Sequence, residues 1–190
     1  MRHVGIIGGT FDPPHIGHLL MAEEARLRVN LDEVWWLPNR IPPHKKQPSQ
    51  TSEKDRLALT ERMVSLHEHY QLSTVELERD GRSYTYDTMK QLCERYSDTR
   101  FYFIIGGDMI DDLPNWYRID DLLELVTFIG IDRPGYRNVP PYDEWMIHLE
   151  GALVDVSSSS IRNQIKEGSL NQFLLTKDVF DYIKEYRLYE

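Results

Sequence analysis

The chain has 190 residues, 41% hydrophobic and 28% charged, a balance that supports one folded domain with a real core and excludes a disordered chain. Its formal net charge of −9 excludes a protein whose main partner is the phosphate backbone of a polynucleotide, since that affinity needs clustered cations. No run approaches the roughly twenty apolar residues of a membrane span, the start lacks the apolar region of a signal peptide, and the single cysteine, Cys93, can form neither an internal disulfide nor a zinc ligand set; the expectation is a cytoplasmic protein with no membrane and no nucleic acid as partner.

In chain order, the run "VGIIGG" from Val4 is apolar without strict alternation, as strands covered on both faces read. It breaks at Gly8 and Gly9 into "TFDPPHIGH", after which a helical pattern runs from Leu19 to Val29. "EVWWLP" from Glu33 is a short strand candidate. The stretch from Pro38 to Ser52 is too polar and proline-rich for a core element, and a connection that long is usually functional or mobile. A helix is expected from Ser52 to Tyr70, where Ser52 and Asp55 resemble a capping box. "YQLSTVELE" from Tyr70 alternates in part, as an edge strand would, and a helix follows from Tyr86 to Tyr96.

"FYFIIGG" from Phe101 and "VTFIGI" from Val126 read as further buried strands, with a helix from Ile119 to Leu125 between them, and "ALVDV" from Ala152 as a short one. Residues 137 to 150 carry no motif, and no internal repeat occurs. Beyond Val156 the pattern is helical only, over Ser158 to Glu167 and Thr176 to Tyr186. Alternating strands and helices imply an α/β fold, a doubly wound, mostly parallel sheet with right-handed crossovers and ligands beyond the carboxyl ends of its strands. The expected organisation is a single domain over 1–190, with 157–190 as a C-terminal helical subregion capping the sheet or its site.

The order of the opening run suits an anion. Gly8 and Gly9 end the strand, Pro13 and Pro14 shape the turn, and Gly17 lies where the helix begins, so the backbone can approach a ligand closely. A helix N-terminus offers unpaired N–H groups and the positive end of a dipole, and His15 and His18 would point toward the same phosphate, donating more strongly when protonated. The glycine spacing departs from the dinucleotide fingerprint, and the Gly-Lys-Ser/Thr of a Walker loop is absent. Two histidines three apart could share a zinc ion, but no third ligand is evident nearby. Two idle polar turn residues would explain either histidine, though hardly both with these glycines.

"GTFDPPHIGH", Gly9 to His18, resembles the signature of the nucleotidyltransferase superfamily, and "SSSSIR", Ser157 to Arg162, resembles its second, serine-and-arginine segment. Read alone, the second is a flexible serine linker or a helix start offering N–H groups, hydroxyls and a bidentate arginine. "LPNRIPPHK", "SYTYDT", "FIIGGDM", "LPNWYRIDDLL" and "DRPGY" add a resemblance to the bacterial nicotinate-nucleotide adenylyltransferases over essentially the whole chain.

That resemblance implies a Rossmann-like nucleotidyltransferase fold and an enzyme of NAD biosynthesis that transfers the adenylyl group of ATP to nicotinate mononucleotide, giving deamido-NAD and pyrophosphate. It places His15 and His18 on the ATP phosphates, with His18 near the α-phosphate, and Ser158 and Arg162 on the leaving pyrophosphate. Thr10 and Phe11 would line the reacting phosphate through their backbone, beside Gly8 and Gly9. Mg²⁺ would accompany ATP and bridge phosphate oxygens, with few direct protein ligands. Gly106 and Gly107 would admit the adenosine and Asp108 bind sugar hydroxyls, although a lone Asp there could instead cap a helix.

For the acceptor, Trp116 would stack on the pyridine ring, and backbone N–H groups around Thr85 and Tyr117 would bind its carboxylate. The flanking Pro114, Asn115 and Arg118 favour a surface loop for Trp116 over a core position. Lys45 and Arg133 are candidates for the mononucleotide phosphate, with Asn39 and His44 as helpers; Lys45 alone could be a solvated loop charge.

The nearest rival is pantetheine-phosphate adenylyltransferase, opposed by Trp116 and "SYTYDT"; a cytidylyltransferase is weaker on the same grounds, and a tRNA synthetase would need further domains. A nucleotide-binding regulatory module is the non-enzyme alternative. The oligomeric state, a homo-oligomer included, is open.

Overall fold

A computed structural model of the protein describes residues 1–41, 50–132, 142–151 and 154–190, with Asp108, Asp132 and Asp143 described in their backbone alone. Six strands form one sheet: β1 (Arg2–Gly9), β2 (Glu33–Pro38), β3 (Tyr70–Leu72), β4 (Thr99–Gly106), β5 (Thr127–Asp132) and β6 (Met146–Glu150). Their spatial order is β3-β2-β1-β4-β5-β6, every pairing parallel. Among the described residues seven α-helices accompany them: α1 (Ile16–Val29), α2 (Glu53–Val64), α3 (Thr85–Arg95), α4 (Gly107–Asp112), α5 (Ile119–Leu125), α6 (Ser158–Lys166) and α7 (Lys177–Glu185). The doubly wound parallel α/β fold is therefore the one the alternation of elements implied.

Successive side chains of a strand point to opposite faces, so a strand covered on both sides must be apolar at every position. Ile7, Trp36, Ile104 and Ile129 face one layer, packed with Ala22 and Ala25 of α1, Leu59 and Met63 of α2, Ile161 of α6, and Val179 and Ile183 of α7. Their neighbours Ile6, Trp35, Phe103 and Phe128 face the other, against Met89 and Leu92 of α3 and Ile119 and Leu122 of α5. The tandem Trp35–Trp36 is thus one residue for each layer.

Several boundaries differ from those expected. The α2 helix ends at Val64, not Tyr70, because Tyr70 is drawn into register with Val34 at the start of β3. The β3 strand stops after three residues, since the chain turns at Thr74, whose carbonyl accepts from Leu77 and Glu78. The last strand lies at Met146–Glu150, ahead of the expected "ALVDV"; Val154–Val156 follow it as irregular chain, while Ala152 and Leu153 lie outside the described residues.

Sheet order reverses between β1 and β4, whose main connections run to opposite sides. Their carboxyl ends, at Gly9 and Gly106, mark the switch point at which such sheets bind ligands.

Candidate active site

The opening motif leaves β1 at Gly9 and reaches α1 within seven residues. Phe11 adopts a left-handed backbone, φ 51°, while its ring is 1% exposed and packs on Trp36 and edge-on to His18 at 5.1 Å. Its side chain is therefore core, and only its backbone is available to a ligand. His15 is the residue before the first turn of α1; its N–H donates to His18 Nδ1 at 3.2 Å, and the two rings lie 3.8 Å apart. Gly17 makes this possible, because a Cβ there would stand 2.9 Å from Val156 and 3.0 Å from His15 Nδ1.

His15 is 7% exposed, and burial lowers its pKa from 6.5 to about 4. In the free protein it is therefore a neutral imidazole near pH 7. Among the described residues its Nδ1 has no hydrogen-bond partner, and neither does Arg162 Nε, both buried. Such atoms are costly unless something satisfies them.

The second motif joins the first directly. Ser157 caps α6, its hydroxyl accepting from the Ser160 N–H at 3.1 Å, so "SSSSIR" is a helix start and not a linker. Ser158 donates its hydroxyl to the Pro13 carbonyl at 2.9 Å, and Arg162 Nη1 donates to the Asp12 carbonyl at 2.7 Å. Segments about 150 residues apart in sequence are thereby bonded directly to each other.

Other residues are placed as follows. Thr10 is 8% exposed, and its carbonyl accepts from Arg56 at 3.0 Å. Asn39 pairs its N–H with the Gly9 carbonyl at 2.9 Å, beside the motif. Gly106 closes β4 and Gly107 opens α4; a Cβ on Gly106 would meet Met21 only at ordinary contact, so the protein itself does not require glycine there. Asp108 lies in the first turn of α4. His44, Lys45 and Arg133 lie outside the described residues.

Of the residues expected to bind the acceptor, Thr85, Trp116 and Tyr117 lie at the start of α3 and in the segment after α4. Thr85 is the first residue of α3, and the ring of Tyr84 before it lies 4.7 Å from that of Tyr117, so the two segments are neighbours through these side chains. Trp116 is not on an open loop: it is 8% exposed, edge to face with Phe103 and Phe128 at 5.9 Å each. The 3₁₀ turn over Leu113–Asn115 carries the indole inward, leaving Tyr117 as the exposed ring at 49%.

Sequence reasoning passed over Arg56. It is 3% exposed, and from α2 it donates to the Thr10 carbonyl at 3.0 Å, the Asn39 carbonyl at 2.7 Å and the Arg40 carbonyl at 3.5 Å. Burial lowers its pKa, opposed first by Asp12. Its position within "EKDRLALTERMV" looks like any solvent-facing helix charge, so no local signal marks it.

Among the described residues, no three His, Cys, Asp or Glu side chains stand together to hold a metal ion, and no helix is long and apolar enough to cross a membrane.

Two motif segments converging at the switch point of a parallel sheet form the arrangement that the resemblance to nucleotidyltransferases implies. The chain belongs to the cytidylyltransferase-like family, whose model matches residues 6–164. It is 50% identical over 190 residues, all of both chains, to a protein of Bacillus cytotoxicus named "Probable nicotinate-nucleotide adenylyltransferase". A protein of the same name from Geobacillus thermodenitrificans is 49% identical over 189 residues, 100% of this chain and 87% of the relative. Among solved structures, Plasmodium falciparum nicotinic acid mononucleotide adenylyltransferase complexed with NaAD superposes with a TM-score of 0.81 at 23% identity, covering 100% of this chain and 98% of the other.

Proposed function

We propose that the protein is a nicotinate-nucleotide adenylyltransferase, joining ATP to nicotinate mononucleotide to give deamido-NAD and pyrophosphate. The observation that carries this reading is the direct bonding of the two motif segments, Ser158 to Pro13 and Arg162 to Asp12, at the sheet's switch point. Full-length identity near 50% to relatives of that name supports the choice of acceptor.

A 5′-phosphate oxygen of the mononucleotide attacks the α-phosphorus of ATP in line; one P–O bond forms as the bond to the pyrophosphate oxygen breaks, and no covalent enzyme intermediate is needed. What the protein supplies is positioning and charge neutralisation. His18 meets the charge growing at the α-phosphate, while Arg162 and Ser158 hold the departing pyrophosphate. His15 is neutral until phosphate arrives, whose negative charge favours its protonated form. Mg²⁺ fits as a companion of ATP: the described side chains offer no cage of their own, so its oxygens would come chiefly from the phosphates, where it supplies charge neutralisation.

The N–H of Thr85, at the open start of α3, suits the pyridine carboxylate better than a carboxamide, since a helix N-terminus favours negative charge. Trp116 would face the ring once the aromatic cluster around it parts. Lys45 and Arg133, with His44 and Asn39, are assigned to the mononucleotide phosphate, and Asp108 to sugar hydroxyls. With a single cysteine and net charge −9, the cytoplasm and small-molecule partners fit the chain better than an oxidising compartment or a polynucleotide.

The test is an acceptor panel with ATP and Mg²⁺. Nicotinate mononucleotide should yield deamido-NAD and pyrophosphate in equal amounts, with the amide mononucleotide and phosphopantetheine much poorer. Equal rates with phosphopantetheine would overturn the acceptor assignment.

A further inference from the structure

The phosphate-binding scheme makes no use of the Asp12 carboxylate, yet this side chain is 3% exposed and fully engaged. Its Oδ1 accepts from the Thr51 hydroxyl at 2.6 Å and from the Tyr189 hydroxyl at 2.8 Å, and its Oδ2 accepts from the Gln50 N–H at 2.9 Å. Two stretches of chain, residues 50–51 and Tyr189, the latter 177 residues away, thus converge on one carboxylate. The main-chain carbonyl of that same residue holds the Arg162 guanidinium at 2.7 Å.

Tyr189 reaches this position at a cost. Its own φ is 70° and that of Arg187 is 50°, left-handed conformations that bulky side chains avoid. The ring is 7% exposed, and burial, then Asp12, raise the phenol's pKa, so the hydroxyl remains a donor. A phenylalanine would fill the same space and pack as well, without the charge-assisted bond that fixes the carboxylate.

We propose that Tyr189 is a positioning residue for adenylyl transfer: its hydroxyl fixes Asp12, and through the Asp12 carbonyl it presets the Arg162 guanidinium for the triphosphate. This rests on the reading of Arg162 as the phosphate clamp. Tyr189 touches no reacting atom and acts through the turn.

The test compares the full chain with Tyr189→Phe, well below the melting temperature of either, by calorimetric binding of ATP and by turnover. Loss of one charge-assisted bond should weaken ATP about tenfold and lower kcat/KM by at least as much, with KM for nicotinate mononucleotide unchanged. In an Arg162→Ala background the same substitution should add little, because both act on one clamp. Thr51→Val removes another bond to the same oxygen and should shift ATP affinity the same way, which keeps the test open if Tyr189→Phe does not fold. Unaltered ATP affinity in a folded variant, or effects of Tyr189→Phe and Arg162→Ala that simply multiply, would overturn the proposal. Unaltered protein that binds ATP but makes no deamido-NAD would instead contradict the functional reading, and the ATP arm would still decide on Tyr189.

Discussion

His15 shows how a site's charge depends on its occupant. Burial holds its pKa at about 4, whereas the same ring in an unfolded chain titrates at 6.5. Between those values the unfolded chain takes a proton that the folded one refuses, so stability should fall as pH is lowered through this window and be unaffected by His15 above it. Replacing His15 by Gln should flatten that slope in urea melts taken from pH 7 to pH 4; an unchanged slope would assign it elsewhere. On adding ATP, the ring's NMR titration midpoint should move upward. His18→Ala should lower kcat by about a hundredfold while leaving KM for ATP nearly unchanged, because the charge it meets grows in the transition state. Trp116 has a packing role in the core and a proposed stacking role on the pyridine, which one substitution would confuse. Trp116→Ala should destabilise by about 3 kcal/mol through the cavity it leaves, and should raise KM for the mononucleotide but not for ATP. Trp116→Phe should recover most of the stability and part of the KM. That the motif turns tightly from β1 into α1 was legible from its glycines and prolines. The burial of Trp116 was not, since polar neighbours in sequence say nothing about Phe103 and Phe128 arriving from other strands.

At the scale of elements, the ends of β1 and β2 are held by one side chain. Arg56 gathers carbonyls from Thr10, Asn39 and Arg40, so Arg56→Ala would leave buried acceptors unpaired and should cost about 3 kcal/mol or more in chemical denaturation. Arg56→Lys should recover little, because an ammonium lacks the fork that spans separate acceptors. Gly17→Ala tests the start of α1: its methyl would press on His15, and turnover should drop about tenfold or more while α1 persists by circular dichroism. Long apolar runs such as "FYFIIGG" announced their strands because both faces are covered. The edge strand β6 and the six-residue α4 gave no comparable signal: one is partly open to solvent, and the other is too short to show a period.

For the whole molecule, the sheet's order places the carboxyl ends of β1 and β4 side by side, and the chain returns from residue 157 onward to bond to the turn that follows β1. The sequence showed two motif segments, the second through its family resemblance; their contact depends on long-range packing of Ile161, Val179 and Ile183 against the layer that holds α1 and α2, which no local pattern encodes. That contact is the centre of the account. The most direct measurement is a crystal structure with a non-hydrolysable ATP analogue, Mg²⁺ and nicotinate mononucleotide. The account predicts the analogue's phosphates within hydrogen-bonding distance of both His18 and the Arg162 guanidinium, with the pyridine carboxylate at the Thr85 N–H; phosphates bound elsewhere, leaving His18 and Arg162 without contact, would contradict it.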